Sequence, residues 1–194
     1  MKLYFVRHGE TKENKEGIYY GKTDSVLSTE GKVQIQKMVP FFEEKQWDAV
    51  FVSPLERAKQ SAQILLPRTE KIVDARLEER NFGIFEGKSY KEILRFYPVE
   101  AKSWAEDWMN YRIPKGESFL DVQQRIESFS KELLRHNWEN VLIVSHKGTI
   151  IQLFMAILEL PLEHFWKFTL EQGCYSVINI TYGNAVLMAL NQKL

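Results

Sequence analysis

Short, unbroken apolar runs alternate along this chain with longer stretches in which apolar positions recur every three or four residues. Leu3-Tyr4-Phe5-Val6, Ala49-Val50-Phe51-Val52 and Val141-Leu142-Ile143-Val144 carry no polar interruption, as strands covered on both faces require. Ile72-Val73 suggests a further strand. Ser28 is placed to cap a helix bearing Ile35, Met38 and Phe42, with Glu30 suiting its positive end. Pro40 is expected to kink that helix or mark its end. Ser53-Pro54-Leu55-Glu56 predicts a capping box, with Ser53 at the cap, Pro54 at the first helical position and Glu56 reaching back. Residues 89–108 predict one or two helices rich in aromatics. Val122, Ile126, Phe129 and Leu133 mark an amphipathic helix. Residues 148–158 predict a largely apolar helix behind the 141–144 strand. Residues 177–181 and 185–190, joined through Tyr182-Gly183-Asn184, predict a closing hairpin. This order predicts an α/β fold, a three-layer αβα sandwich around a mainly parallel central sheet. One domain over residues 1–194 is expected, with about 90–120 a helical cap over the site.

Charge narrows the partners. Lysine plus arginine and aspartate plus glutamate number 26 each, so no global field draws the chain to nucleic acid or to an anionic membrane. Any affinity for anions must come from local clustering. The single cysteine, Cys174, excludes an internal disulfide framework and reads as an inert packed thiol. Residues 1–6 are too short for the apolar region of a signal peptide, and no run reaches transmembrane length. A cytoplasmic location is expected. The sequence sets no oligomeric state.

The chemistry-bearing residues fall at one kind of place. Arg7-His8 follow the first strand, Ser53 to Arg57 the second, and Ser145-His146 the 141–144 strand. Ligands of open parallel sheets bind outside the carboxyl ends of the strands. Three strand ends can thus deliver two arginines and two histidines to one crevice. Arg57 also falls in the first turn of a helix, where free backbone N–H groups favour an anion. A phosphate monoester, nearly doubly negative at neutral pH, fits such a crevice. No metal is expected, because histidines beside arginines repel a cation. His136 reads as a solvated helix end and His164 as a packing residue.

Arg7-His8-Gly9-Glu10-Thr11 resembles the RHGE(T/S) signature of the histidine phosphatase, or phosphoglycerate-mutase-like, superfamily. Ser53-Pro54-Leu55-Glu56-Arg57-Ala58 is similar to its second motif. Val144-Ser145-His146-Lys147-Gly148 is similar to its third, with Lys147 in place of a common glycine. Leu77-Glu78-Glu79-Arg80-Asn81-Phe82-Gly83 resembles the loop carrying the proton donor, and alignment on the leucine and glycine selects Glu79 over Glu78. Asn14 and Gly21-Lys22-Thr23-Asp24 resemble the substrate-pocket segment. The resemblance implies that Arg7 and Arg57 clamp the phosphoryl oxygens while His8 attacks phosphorus through Nε2. His8 Nδ1 would donate to a backbone oxygen. His146 would donate a further hydrogen bond to the transferring group, and Glu79 would act first as acid, then as base. It implies a small-molecule phosphate ester as partner, and no cofactor.

A finer resemblance is to the α-ribazole phosphatases, which remove a 5′-phosphate during assembly of the cobalamin nucleotide loop. It rests on Trp104-Ala105-Glu106-Asp107-Trp108, Ile113-Pro114-Lys115-Gly116-Glu117-Ser118-Phe119 and Gln172-Gly173-Cys174-Tyr175-Ser176. It implies that Trp108 meets the substrate, while Trp104, Tyr111, Tyr19 and Tyr20 stay open between core and pocket wall. The alternatives are a broad phosphomonoesterase, a phosphoglycerate mutase and a noncatalytic scaffold. The chain lacks the longer insertions of mutases, and a scaffold need not retain all five candidate catalytic residues. A carboxylate on the substrate would need a further cation, for which Lys12, Lys15 and Lys22 are candidates.

Overall fold

The computed structural model describes residues 1–194. Strand β1 (Lys2–Arg7) lies inside a six-stranded sheet that also contains β3 (Ala49–Val52), β4 (Ile72–Val73), β6 (Asn140–Ser145), β7 (Tyr175–Thr181) and β8 (Asn184–Gln192). The spatial order is β4-β3-β6-β1-β7-β8. β4, β3, β6 and β1 run parallel, while β7 lies antiparallel to β1 and β8 antiparallel to β7. The unbroken apolar runs now have their cause. Leu3, Phe5, Phe51, Val141 and Ile143 face helices α6 (Phe119–Leu133) and α7 (Lys147–Ile157). Tyr4, Val6, Val50, Val52, Leu142 and Val144 face α2 (Thr29–Glu43) and α3 (Glu56–Leu65). Neighbouring residues in each strand thus enter opposite apolar layers, and neither face is left to water.

Ser28 caps α2 through Gly31 N–H, but the helix does not stop at Pro40; it continues to Glu43. Pro40 is exposed, so the carbonyl left without an N–H donor one turn earlier can turn to solvent. The predicted capping box at 53–56 does not form. Leu55 is the cap residue of α3 and makes no side-chain cap bond, while Glu56 instead accepts from the Gln60 amide. The closing hairpin turns on Tyr182 and Gly183 alone, with φ of 52° and 77°. Both residues are left-handed, as a tight two-residue turn demands, and Asn184 pairs back with Thr181.

The long connection after β1 is partly ordered by its own structure. Thr11 and Asn14 cap helix α1 (Lys12–Glu16) reciprocally, and β2 (Ile18–Tyr19) pairs with β5 (Lys88–Ser89). That pairing ties the connection to α4 (Tyr90–Phe96) and α5 (Pro98–Glu106). These helices share a small core of Phe85, Ile93, Ala101 and Ile113, separate from the two main layers.

Candidate active site

Register alone assembles the polar end of the site. β1 and β6 are in step, so Arg7 lies opposite Ser145, and His8 N–H donates to the Ser145 carbonyl at 3.0 Å. The residues just beyond each strand, His8 and His146, bring their rings to 5.1 Å between centroids. β3 runs beside β6, which sets Ser53 next to the same point.

His8 is 3 % exposed, and its Nδ1 lies 2.7 Å from the Gly9 carbonyl. A carbonyl only accepts, so Nδ1 carries the hydrogen and Nε2 keeps a lone pair. Burial, then Arg7 and Arg57, push the His8 pKa well below its ordinary value. The ring is therefore neutral and nucleophilic at pH 7. His146 is held differently. Arg57 Nε–H donates to its Nδ1 at 3.2 Å, so its proton sits on Nε2, which donates to Ser53 Oγ at 2.8 Å. Both nitrogens are thus engaged by the protein. The cause is Ser53, whose hydroxyl caps no helix and is free to face the histidine. Burial, then Arg57 and His8, hold His146 neutral.

Arg57 is 1 % exposed. Besides His146 it donates from Nη1 to the Thr23 carbonyl at 3.1 Å and from Nη2 to the Gly21 carbonyl at 2.7 Å. Its guanidinium lies 4.6 Å from the centre of the Tyr20 ring. A guanidinium has five N–H donors, so one hydrogen on each terminal nitrogen stays free. Gly21 and Thr23 hold Arg57 through their backbone carbonyls, and Lys22 lies between them in the chain. The Glu86 carboxylate fixes that segment by accepting N–H bonds from Gly21, Lys22 and Thr23 at 2.9–3.1 Å. Gly21 is needed because a Cβ there would come within 1.6 Å of the Arg80 carbonyl oxygen. Arg7 donates from Nη1 to the Leu170 carbonyl at 2.5 Å, while its Nε is buried without a partner. An orphaned cationic donor beside a cavity is a place for an anion.

Glu79 and Glu78 part company. Glu79 joins the cavity wall, its carboxylate accepting from Gly148 N–H and Arg80 N–H, each at 3.0 Å. Glu78 instead pairs with Lys22 at 3.9 Å. A Cβ on Gly148 would lie 2.6 Å from Glu79 Oε1, so glycine there keeps room for the carboxylate. Lys12 and Lys15 are also paired, with Glu16 at 3.7 Å and Glu10 at 3.8 Å. The lysine in the cavity wall is Lys147, whose pKa is lowered by burial and then by Arg7.

The cavity has a volume of about 650 Å³, within the usual span of small-molecule sites. Arg7, Glu79 and Lys147 mark its polar end, and His8, Arg57 and His146 lie close enough to Arg7 to feel its charge. Asn14 belongs to the wall although its Oδ1 also caps α1. The far end is aromatic. Trp108 meets Phe119 edge-on at 4.8 Å and Trp166 at 5.5 Å, and Trp104 meets Tyr19 at 5.6 Å. Tyr19 and Tyr20 contribute to the wall as well, while Tyr111 does not. His136 stacks on Trp138 at 3.9 Å, away from the cavity.

The family model of the histidine phosphatase superfamily (branch 1) matches residues 3–193. The chain belongs to the histidine phosphatase superfamily. A relative described as adenosylcobalamin/alpha-ribazole phosphatase, from Escherichia coli strain K12, is 32% identical, with 100% of this chain and 97% of the relative aligned. Phosphoserine phosphatase 1 of Hydrogenobacter thermophilus is 30% identical, over 98% of this chain and 92% of that protein. Among solved structures, the alpha-ribazole phosphatase of Shigella flexneri superposes with a TM-score of 0.93 at 33% identity, covering 99% of this chain and 96% of that one. Membership makes the chain a phosphoric monoester hydrolase.

Five residues of this histidine phosphatase escaped the sequence reading as site residues. Ser53 was hidden by its likeness to a helix cap. Phe165 and Trp166 come from a 3₁₀ segment, Leu162–Lys167, whose aromatics have no periodicity that points to a pocket. Gln152 lies on a helix that reads as largely apolar. For Lys147 the signal was present as the departure from the usual glycine.

Proposed function

We propose that the chain hydrolyses phosphate monoesters through a phosphohistidine on His8, with α-ribazole 5′-phosphate as substrate and cobalamin nucleotide-loop assembly as setting. The observation that carries the chemistry is the free Nε2 lone pair of a buried, tautomer-fixed His8 beside Arg7. Nε2 attacks phosphorus as the ester P–O bond breaks, and Glu79 delivers a proton to the departing alkoxide. Glu79 then takes a proton from water, whose oxygen displaces His8 and releases inorganic phosphate. Arg7, through its unpartnered Nε, and Arg57, through its two free hydrogens, neutralise the phosphoryl oxygens. His146 is a positioning residue in this scheme: neutral and bonded at both nitrogens, it orients Arg57.

The α-ribazole assignment is supported by the aromatic end of the cavity, which suits a flat benzimidazole on an uncharged ribose, and by the names of the relatives. The test is side-by-side kinetics on α-ribazole 5′-phosphate, 3-phosphoglycerate and simple sugar phosphates, with exhaustive chelation as a control. The expected result is a ten- to a hundredfold higher kcat/KM for the first, from about two ring contacts, and activity that survives chelation. One observation favours a second reading, a broader phosphatase that also accepts carboxylate-bearing esters: Lys147 brings its ammonium to the polar end of the cavity. Equal efficiency on 3-phosphoglycerate, lost selectively in Lys147→Met, would establish that reading instead.

A further inference from the structure

Gln152 lies one turn beyond Gly148 on α7 and belongs to the cavity wall. Gly148 holds the Glu79 carboxylate on one side. On the other side is Phe119, which packs against Trp108 and Phe165. The glutamine is therefore placed between the proton donor and the aromatic end.

Its side chain is 2 % exposed, and Nε2 donates to the Phe119 carbonyl at 3.1 Å. Because a carbonyl cannot donate, that contact decides which end of the amide is nitrogen. Oε1 is left buried with no hydrogen-bond partner. Buried acceptors are seldom left this way. Gln123 Oε1 is also unpartnered, but Gln123 forms no part of the cavity wall. At Gln152 alone, an orphaned acceptor oxygen belongs to a residue of the cavity wall.

The missing donor must come from a group between the ester oxygen and the aromatic part of the leaving group. In a phosphorylated sugar, hydroxyls occupy that stretch. We propose that Gln152 Oε1 accepts a hydrogen bond from a sugar hydroxyl of the leaving group, so that Gln152 selects hydroxylated esters over deoxy ones. The inference deepens the phosphatase reading and rests on it.

The experiment compares kcat/KM for ribose 5-phosphate and α-ribazole 5′-phosphate with their 2-deoxy and 3-deoxy counterparts. It uses the wild-type protein and Gln152→Met, which is similar in length and has no amide oxygen. The wild type is expected to favour a hydroxylated ester over one of its deoxy forms by about tenfold, the usual worth of one hydrogen bond in such a comparison. In Gln152→Met the two are expected within about twofold of each other. The wild type decides even if the variant fails to fold: an active enzyme that treats every hydroxylated and deoxy pair alike overturns this inference and leaves the phosphatase reading standing. A ratio that persists in a folded Gln152→Met overturns it too, the oxygen then being satisfied by trapped water. No turnover of any ester overturns both readings together.

Discussion

The two ends of the cavity are built on different principles. At the phosphate end nearly every polar atom has an assigned protein partner. His8 is fixed by Gly9, His146 by Arg57 and Ser53, Arg57 by Gly21 and Thr23, and Glu79 by Gly148 and Arg80. At the aromatic end the rings meet edge to face, and Trp166 remains 68 % exposed. The first arrangement sets charges in place before a substrate arrives. The second offers contact area that different leaving groups can share. Chemistry thus resides where positions are over-determined, and selectivity where they are not. Substitutions should split along the same line.

The largest loss is expected at His8. His8→Ala should lower turnover of every ester by at least about 10⁴-fold, as removal of a nucleophile does. Rapid quench with labelled phosphate should show that the acid-labile, base-stable adduct is gone. A normal adduct in that variant would assign the nucleophile elsewhere. Glu79→Gln comes next, slowing alkyl-ester cleavage by about 10²–10⁴-fold. Phenyl esters should suffer less in the cleavage step, since a phenolate leaves without much protonation. Glu78→Gln should show no such split between esters, and finding the split there would move the acid by one residue.

A third measurement probes the over-determined end without chemistry. His8 and His146 have pKa values pushed well below 6.5 by burial and by the neighbouring arginines. Unfolded, they titrate near 6.5. As pH falls below that value, the unfolded chain binds protons that the folded one refuses. Stability should therefore fall by about 1.4 kcal/mol per pH unit for each histidine, continuing until the folded pKa values are reached. Urea unfolding at pH 7.0 and 5.5 measures it, and His146→Asn should halve the slope. The same drop in both proteins would mean that His146 is not the buried neutral group described. The smallest effect belongs to the aromatic end. Trp166→Ala should cost about two- to tenfold in kcat/KM on α-ribazole 5′-phosphate, with a smaller loss on glycerol 3-phosphate. An equal loss on both would remove Trp166 from substrate selection.

That split also explains what the sequence disclosed. The sheet and its covering helices were legible because strand residues facing two apolar layers leave unbroken runs, and Val122, Ile126, Phe129 and Leu133 leave a helical stripe. Arg7, His8, Arg57 and His146 were legible because they stand at strand ends or in a helix's first turn. Gly21 and Thr23 were placed in the right neighbourhood, but their hold on Arg57 was not read from the sequence. They act through carbonyls, which every residue owns and no letter announces. Ser53 failed for a related reason, since one serine before a proline reads alike as a helix cap or as a strand-end hydroxyl. Trp166 and Gln152 depend on how separate segments meet over the sheet, and local pattern does not record that.

The position of β1 has a consequence for how the protein is made. Its neighbours in the sheet are β6, at Asn140–Ser145, and β7, at Tyr175–Thr181. A ribosome adding ~5–20 residues per second therefore leaves the strand that leads to His8 exposed and unpaired for several seconds or more. For that interval Leu3 to Val6 is an open apolar edge, of the kind that recruits other chains, and loops of well over a hundred residues must close before it is covered. The segment that ends in the nucleophile is thus also the one a nascent chain must shield longest.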